Sequence, residues 1–335
     1  MILSKTPVRI AFGGGGTDVE PYCSEYSGFV INATINLFFR SILNKKQEKS
    51  IKIYSNDKFT AYRFERMDTL DIEKIEEDII RAIIYLLKPK IGMDIYLHGE
   101  PPKKAGLGAS ASLCSCLIAG IHNLENKTIK EEIIAEEAYR VEQDILRNTG
   151  GRQDQYAAVY GGFNAIEFLG ESNVRVNKLR LSQSFKKELE ERSILFYTGE
   201  PHTSGNMVGA QVNSYLKNKE TAKNSLDILK NIAHQMKDAF ISEDFQKLGN
   251  LLTKDWEEKT KFNPLITTDY MRELHELVME NGGIGGRVCG AGGGGCMFWI
   301  IDPQNREKII SKLESKSGTY INFNFVKKGL EITNI

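Results

Sequence analysis

The sequence predicts an α+β protein with a strand-rich first half and a helix-rich second half. Three observations carry this. Short β-branched and aromatic runs separated by turn residues fill the first third. Helical patterning dominates residues 204 to 281. Glycine-rich segments stand where strands give way to helices, at "AFGGGGTD", "KKAGLGAS" and "VCGAGGGGC". At 335 residues the chain is long enough for two full cores. The change of pattern near Leu181 places a boundary at about residue 180, giving domains 1–180 and 181–335.

The elements follow in order. Val8, Ile10 and Phe12 alternate, as in a half-buried strand, and "GFVINATI", "IKIYS" and "FTAYRF" continue the strands. A charged helix is expected over "DIEKIEEDIIRAIIYLL", stopping before Pro89, and "MDIYLHG" is again a strand. A helix runs from about Ser110 to Leu124. A second covers "IKEEIIAEEAYRVEQDIL", with Ile129, Ile133, Ala138, Val141 and Ile145 as its apolar stripe. "GFNAIEF", "NVRVNKL" and "SILFYTG" are strands. After the long helical region come a helix near "NREKIISKLES" and a closing strand, "TYINFNFV".

Charge and composition exclude several functions. The 44 basic and 44 acidic residues cancel, so no bulk attraction to nucleic acid or to an anionic membrane is expected. No apolar run is long enough to span a bilayer, and the start "MILSKTPVRIAFGGGG" has none of the parts of a signal peptide; a cytoplasmic location is expected. The five cysteines, Cys23, Cys114, Cys116, Cys289 and Cys296, form no Cys-x-x-Cys pair, and read as buried small hydrophobes rather than disulfides or zinc ligands.

The stretch "HGEPPKKAGLGASASLCSCLIAG" is where chemistry enters. A strand, a glycine turn and a helix start form an anion site, because the first N–H groups of a helix have no internal partner and the dipole is positive there. Gly106 to Ala111 matches G-x-G-x-x-[GA], but the next element is a helix rather than the strand a dinucleotide fold requires. No Gly-Lys dipeptide exists for a Walker loop. "TPVRIAFGGGGTD" offers open backbone with Arg9 on its strand, and Asp18 as an acceptor for sugar hydroxyls or as a simple helix cap. Glu142 and Asp154 suit a metal ligand and an acid or base, or a solvated helix face and a turn. Nine glycines between Gly282 and Gly295 point to close backbone approach beside Arg287.

Together these three ordered motifs resemble the GHMP small-molecule kinase superfamily of galactokinase, homoserine kinase, mevalonate kinase and phosphomevalonate kinase. Within it the chain looks most like D-glycero-D-manno-heptose 7-phosphate kinases and related anomeric sugar kinases. The resemblance implies a two-domain GHMP-kinase fold, with a ribosomal protein S5 domain 2-like first half that binds phosphate and a ferredoxin-like second half. It implies ATP and Mg²⁺ as cofactors and a small sugar or sugar phosphate as substrate, phosphorylated at C1 for nucleotide-activated sugar synthesis. It leaves a homodimer open. By position it assigns the ATP phosphates to the loop Lys104, Ala105, Gly106, Leu107, Gly108, Ala109 and Ser110. Mg²⁺ goes to Ser110 and Glu142. Catalysis goes to Asp154 as base and Arg9 as its partner. The sugar goes to Arg9, Gly15, Gly16, Thr17, Asp18, Asp154, Gly292 and Gly293. The adenine site is expected between residues 50 and 90. Where heptose kinases carry an arginine-containing segment after Thr-Gly, this chain has Pro201, His202 and Ser204, so an unphosphorylated heptose, fucose or galactose type of sugar stays open as substrate. A mevalonate-pathway enzyme and a non-catalytic sugar or nucleotide sensor are also compatible with the fold that the resemblance implies.

Overall fold

The computed structural model describes residues 1–55, 60–64, 79–170, 173–200, 208–209, 212, 215–216 and 219–335. Two sheets organise it. The first is built around two long antiparallel strands, β1 (Ile2–Gly13) and β2 (Gly28–Lys46), in register from Ile2↔Leu43 to Gly13↔Ile31. At 19 residues, β2 serves two neighbours. Its first part pairs with β6 (Phe163–Phe168) and its last part with β5 (Gly92–Gly99). Strands β3 (Ile51–Ser55) and β4 (Thr60–Phe64) extend the sheet beyond β5, and β7 (Val174–Lys178) extends it beyond β6. The second sheet has four antiparallel strands in the order β11 (Thr319–Ile321), β8 (Ser193–Tyr197), β10 (Cys296–Ile301), β9 (Gly283–Val288).

Strand alternation decides what each face of β1 does. Val8, Ile10 and Phe12 enter a core with Ile232, Met236 and Phe240 of α7 (Lys219–Ile241), Leu248 of α8 (Phe245–Phe262), and Leu195 and Phe298 of the second sheet. Arg9 and Ala11 point the other way, into a cleft. Phe12 meets Phe240 and Phe298 edge-on, with ring centroids 4.9 and 5.5 Å apart. This core is shared by residues on both sides of position 180.

The small residues of α3 (Ala109–Leu124) are explained by contact with β1 and β2. Ser4 Oγ donates to the Cys116 carbonyl at 2.8 Å, and Thr6 Oγ1 donates to the Ser112 carbonyl at 2.7 Å. A Cβ on Gly120 would lie 2.6 Å from Leu43 Cδ1. The five cysteines are all buried and unpaired.

Several elements differ from the sequence reading. Helix α2 (Ile79–Leu87) is the described part of the expected charged helix, and 71–78 lie outside the described residues. Helix α4 (Glu131–Arg140) buries Ile134, Ala135, Ala138 and Tyr139, whereas Ile133 is exposed. The other residues of the expected stripe face the core, with Ala138 and Val141 buried and Ile129 and Ile145 packed against them, and after Arg140 the helix gives way to a wide π-type turn, Val141–Ile145. An unexpected helix, α6 (Gln183–Glu191), precedes β8, capped by Ser182 Oγ and anchored by Phe185 and Leu189. "TYINFNFV" holds strand only over β11. A last strand, β12 (Glu331–Asn334), returns to pair with Ile2–Lys5 of the first sheet. Helices α9 (Asp269–Glu280) and α10 (Arg306–Glu314) cover the outer face of the second sheet, over Trp299, Phe196 and Ile194. Among the described residues no helix is long and apolar enough to cross a membrane.

Candidate active site

A cleft of about 370 Å³ opens where all three glycine motifs meet. Its walls are Arg9 and Ala11, the turn holding Gly15, Gly16 and Asp18, the loop before α3, Glu142, the start of α5 (Gln153–Tyr160), Lys259, Gly290 and Ala291.

The loop is held open by backbone geometry. Gly106 and Gly108 have φ of +75° and +72°, a region that other residues enter at a cost. Gly108 is the N-cap of α3 and supplies no side-chain cap, so the opening turn faces the cleft with unsatisfied donors. The C-terminal glycine motif packs beneath this loop. A Cβ on Gly106 would lie 2.6 Å from the Cys289 carbonyl oxygen, and one on Gly290 would lie 2.8 Å from the Gly106 carbonyl. The Cys296 N–H donates to the Ala105 carbonyl at 2.8 Å.

Arg9 joins the loop to the catalytic candidate. Its Nε and Nη2 donate to the two Asp154 carboxylate oxygens, both at 2.7 Å, in a bidentate pair. Its Nη1 donates to the Gly106 carbonyl at 2.6 Å. Across the helix mouth, Ser110 Oγ donates to Glu142 Oε1 at 2.5 Å, and Gln155 Nε2 donates to Glu142 Oε2 at 2.6 Å. The wide turn after α4 carries Glu142, closed by the Asn148 N–H on the Glu142 carbonyl at 2.8 Å. Burial, reinforced by the Asp154 charge, pushes the Glu142 carboxyl up to about 7.

Asp18 is almost fully buried. It accepts from the Gly16 N–H at 3.0 Å and from the Gln153 N–H and Nε2, both at 3.2 Å. Burial, with the Asp154 charge, raises its carboxyl above the usual range despite these donors. A Cβ at Gly151 would lie 1.9 Å from Asp18 Oδ2. We expect Gly151→Ala to displace this carboxylate and lower kcat/KM roughly 10-fold or more, about the worth of a charged hydrogen bond. Steady-state kinetics beside an unchanged circular dichroism spectrum check this.

The structure brings together Arg9, Gly15, Gly16, Asp18, Lys104, Ala105, Gly106, Gly108, Ala109, Ser110, Glu142 and Asp154. It does not bring four others to the cleft wall. Thr17 is buried, its hydroxyl spent on the Gly14 and Phe29 carbonyls at 2.7 and 3.1 Å, so it braces the turn rather than reading a sugar. Leu107 is core, its carbonyl accepting from the Arg9 N–H at 3.0 Å. A Cβ on Gly292 would meet Ile266, and the Gly293 N–H donates to the Ile266 carbonyl at 2.8 Å, so these two support the wall from behind. Pro201, His202 and Ser204 lie outside the described residues, as do 56–59 and 65–78 of the expected adenine region. Lys259, Gln153 and Gln155, absent from the sequence reading, also line the cleft.

An implied Mg²⁺ fits what is here. Ser110 and Glu142 offer hard oxygen donors beside the helix mouth, and the Glu142 carboxylate is disfavoured by burial until a cation neutralises it. Among the described residues no group of three or more His, Cys, Asp or Glu side chains is placed to hold a metal. Mg²⁺ needs no such cage when phosphate oxygens complete its shell.

A glycine-opened helix start beside the Ser110–Glu142 contact and the bidentate Arg9–Asp154 pair is compatible with phosphoryl transfer, and comparison with known proteins gives the class. The models "GHMP kinases N terminal domain" and "GHMP kinases C terminal" match residues 78–162 and 236–318. The chain is 31% identical to a protein of Campylobacter jejuni named D-glycero-alpha-D-manno-heptose 7-phosphate kinase, over 98% of both chains. It superposes with a TM-score of 0.82 and 26% identity on a D-glycero-D-manno-heptose 1-phosphate kinase from Bacteriodes thetaiotaomicron, over 100% of this chain and 99% of that one. Galactokinase of Lactococcus lactis shares the fold at 18% identity, with a TM-score of 0.79 over 98% and 95% of the two chains. The chain belongs to the GHMP kinase family, phosphotransferases with a hydroxyl acceptor.

Proposed function

We propose that this chain transfers the γ-phosphoryl group of ATP to the anomeric C1 hydroxyl of D-glycero-D-manno-heptose 7-phosphate, giving the 1,7-bisphosphate. The observation that carries the reading is Arg9, which joins Asp154 on the acceptor side to the Gly106 carbonyl of the loop. The name of the Campylobacter jejuni relative supports the choice of sugar. We keep the division near residue 180 as a proposal, noting that β12 lies in the first sheet.

The N–H groups opening α3, with Lys104 beside them, would hold the ATP phosphates. Ser110 and Glu142 would hold Mg²⁺, which when bound offsets charge on those phosphates. Asp18 and the Gly15–Gly16 backbone orient the sugar. Asp154, fixed by Arg9 through both carboxylate oxygens, accepts the C1 hydroxyl hydrogen on a remaining lone pair as the sugar oxygen bonds to the γ-phosphorus and ADP leaves. The transition state is loose and charge-spread, so placement and electrostatics supply most of the catalysis.

The test is ³¹P NMR of the protein with ATP, Mg²⁺ and a sugar panel. The panel contains heptose, its 7-phosphate and its 1-phosphate, because two relatives are named for different heptose phosphates. A new anomeric phosphate signal from the 7-phosphate is expected. Transfer only to another member of the panel moves the substrate and overturns this one.

A further inference from the structure

Lys259 is an anomaly that the phosphoryl-transfer roles above do not use. It lies on α8, only 8% exposed, and lines the cleft. Its nearest carboxylate is Asp255 Oδ2 at 3.7 Å, beyond hydrogen-bond distance. Asp255 is fully buried: its Oδ1 accepts from the Gly14 N–H at 3.0 Å, and its Oδ2 is ion-paired with Arg287 Nη1 at 2.6 Å as well as with Lys259 but accepts no hydrogen bond. Among the described residues the Lys259 ammonium makes no hydrogen bond. Held only by that ion pair, the ammonium has hydrogen-bonding capacity left for the cleft that it lines.

What it faces is specific. A Cβ built on Gly15 would lie 3.1 Å from Lys259 Nζ and 3.2 Å from Gln153 Nε2. The space above Gly15 is therefore bounded by two N–H donors. The Asp18 carboxylate closes the third side, accepting from the same Gln153 amide at 3.2 Å. An oxygen in the cleft beside these groups can accept from Lys259 and Gln153 and give its hydrogen to Asp18. A hydroxyl does both, whereas a phosphate would stand against the Asp18 carboxylate.

We propose that Lys259 is a specificity-determining contact to the acceptor, clamping a sugar hydroxyl over Gly15 together with Asp18 and Gln153. This rests on the reading of the cleft as the acceptor site of a sugar kinase. Burial, with the neighbouring Arg287 charge, brings the ammonium down to about 8, so the clamp is charged at neutral pH yet desolvated.

The test compares wild type, Lys259→Met and Gly15→Ala. Gly15 does not have positive φ, so its new methyl fills the cradle without backbone strain. Both variants are expected to raise acceptor KM roughly 10-fold to 100-fold. The ATP KM should stay within about threefold, below the effect of one lost hydrogen bond. The sugar-free Lys259→Met variant should melt no lower than wild type, because it loses a desolvated charge while Asp255 keeps its closer ion pair with Arg287. An unchanged acceptor KM in both variants overturns the clamp while leaving the kinase reading intact. So does a lowered melting temperature with both KM values raised together, which would mark a purely structural lysine. A penalty seen with heptose 7-phosphate and not with heptose would make Lys259 a phosphate contact and also overturn it. If wild type turns over a different sugar, the heptose reading falls, and the same comparison on that sugar still decides the clamp. A wild type that neither binds nor phosphorylates any sugar by calorimetry and ³¹P NMR overturns both.

Discussion

Asp154→Asn is expected to lower kcat by about 10²- to 10⁴-fold, the range for losing a positioned proton acceptor. Acceptor and ATP KM should change little. The substitution is nearly isosteric and keeps one carbonyl oxygen toward Arg9. What it loses is the second anionic oxygen of the bidentate pair and the lone pair left for the sugar hydroxyl. Arg9 is buried, so an unbalanced guanidinium remains beside the Gly106 carbonyl. Some loss of stability is therefore expected, and a thermal melt must accompany the kinetics. Asp154→Glu separates the two effects. It restores the charge and displaces the carboxylate, so recovered stability without recovered kcat places the role in the reaction. Wild-type kcat in a folded Asp154→Asn protein would remove Asp154 from the mechanism.

Much of this site was legible because its chemistry is local in sequence. Arg9 could be placed by strand alternation, since Val8, Ile10 and Phe12 claim the opposite face for the core. The loop from Gly106 to Ser110 announced itself through small residues that only a close-packed helix start requires. Lys259 was not legible. It stands four residues after Asp255 in a charge-rich helix, a pattern that ordinarily marks a solvated face. Only the tertiary fold buries that face against the first glycine turn. The resemblance placed Thr17, Gly292 and Gly293 at the substrate because motif position cannot tell a residue facing the cleft from one bracing it. Helix α6 offers only Phe185 and Leu189 as buried residues among nine, and β12 is a four-residue polar edge, so neither carries a hydrophobic period long enough to read.

Glu142→Gln is the second large effect. We expect kcat/KM for ATP to fall by at least ~10²-fold at limiting Mg²⁺, more than changes to outer-shell groups usually cause, with partial recovery at high Mg²⁺. The site can accept the change without collapse. Gln155 has a buried amide oxygen without a partner, and turning that amide lets it accept from the substituted group. The pH behaviour gives a second readout. Glu142 in the fold titrates at about 7, raised from 4.5, so protons compete with Mg²⁺ below neutrality. The Mg²⁺ concentration for half-maximal rate should climb up to about 10-fold per pH unit below 7 in wild type. It should climb less steeply in the variant, where only the ATP phosphates still bind the competing proton. Stability follows the same linkage with its sign fixed. A carboxyl whose folded pKa is raised favours the fold while protonated and loses that contribution as pH rises from 4.5 through 7. Metal-free wild type should therefore melt below metal-free Glu142→Gln above pH 7, and the gap should close toward pH 4.5. Adding Mg²⁺ and ATP should reverse the order, because only the carboxylate gains from the cation. Thermal melts of both proteins across that pH window, with and without Mg²⁺ and ATP, decide whether this half-buried charge is kept for a metal. An order that never reverses would take Glu142 out of the Mg²⁺ site.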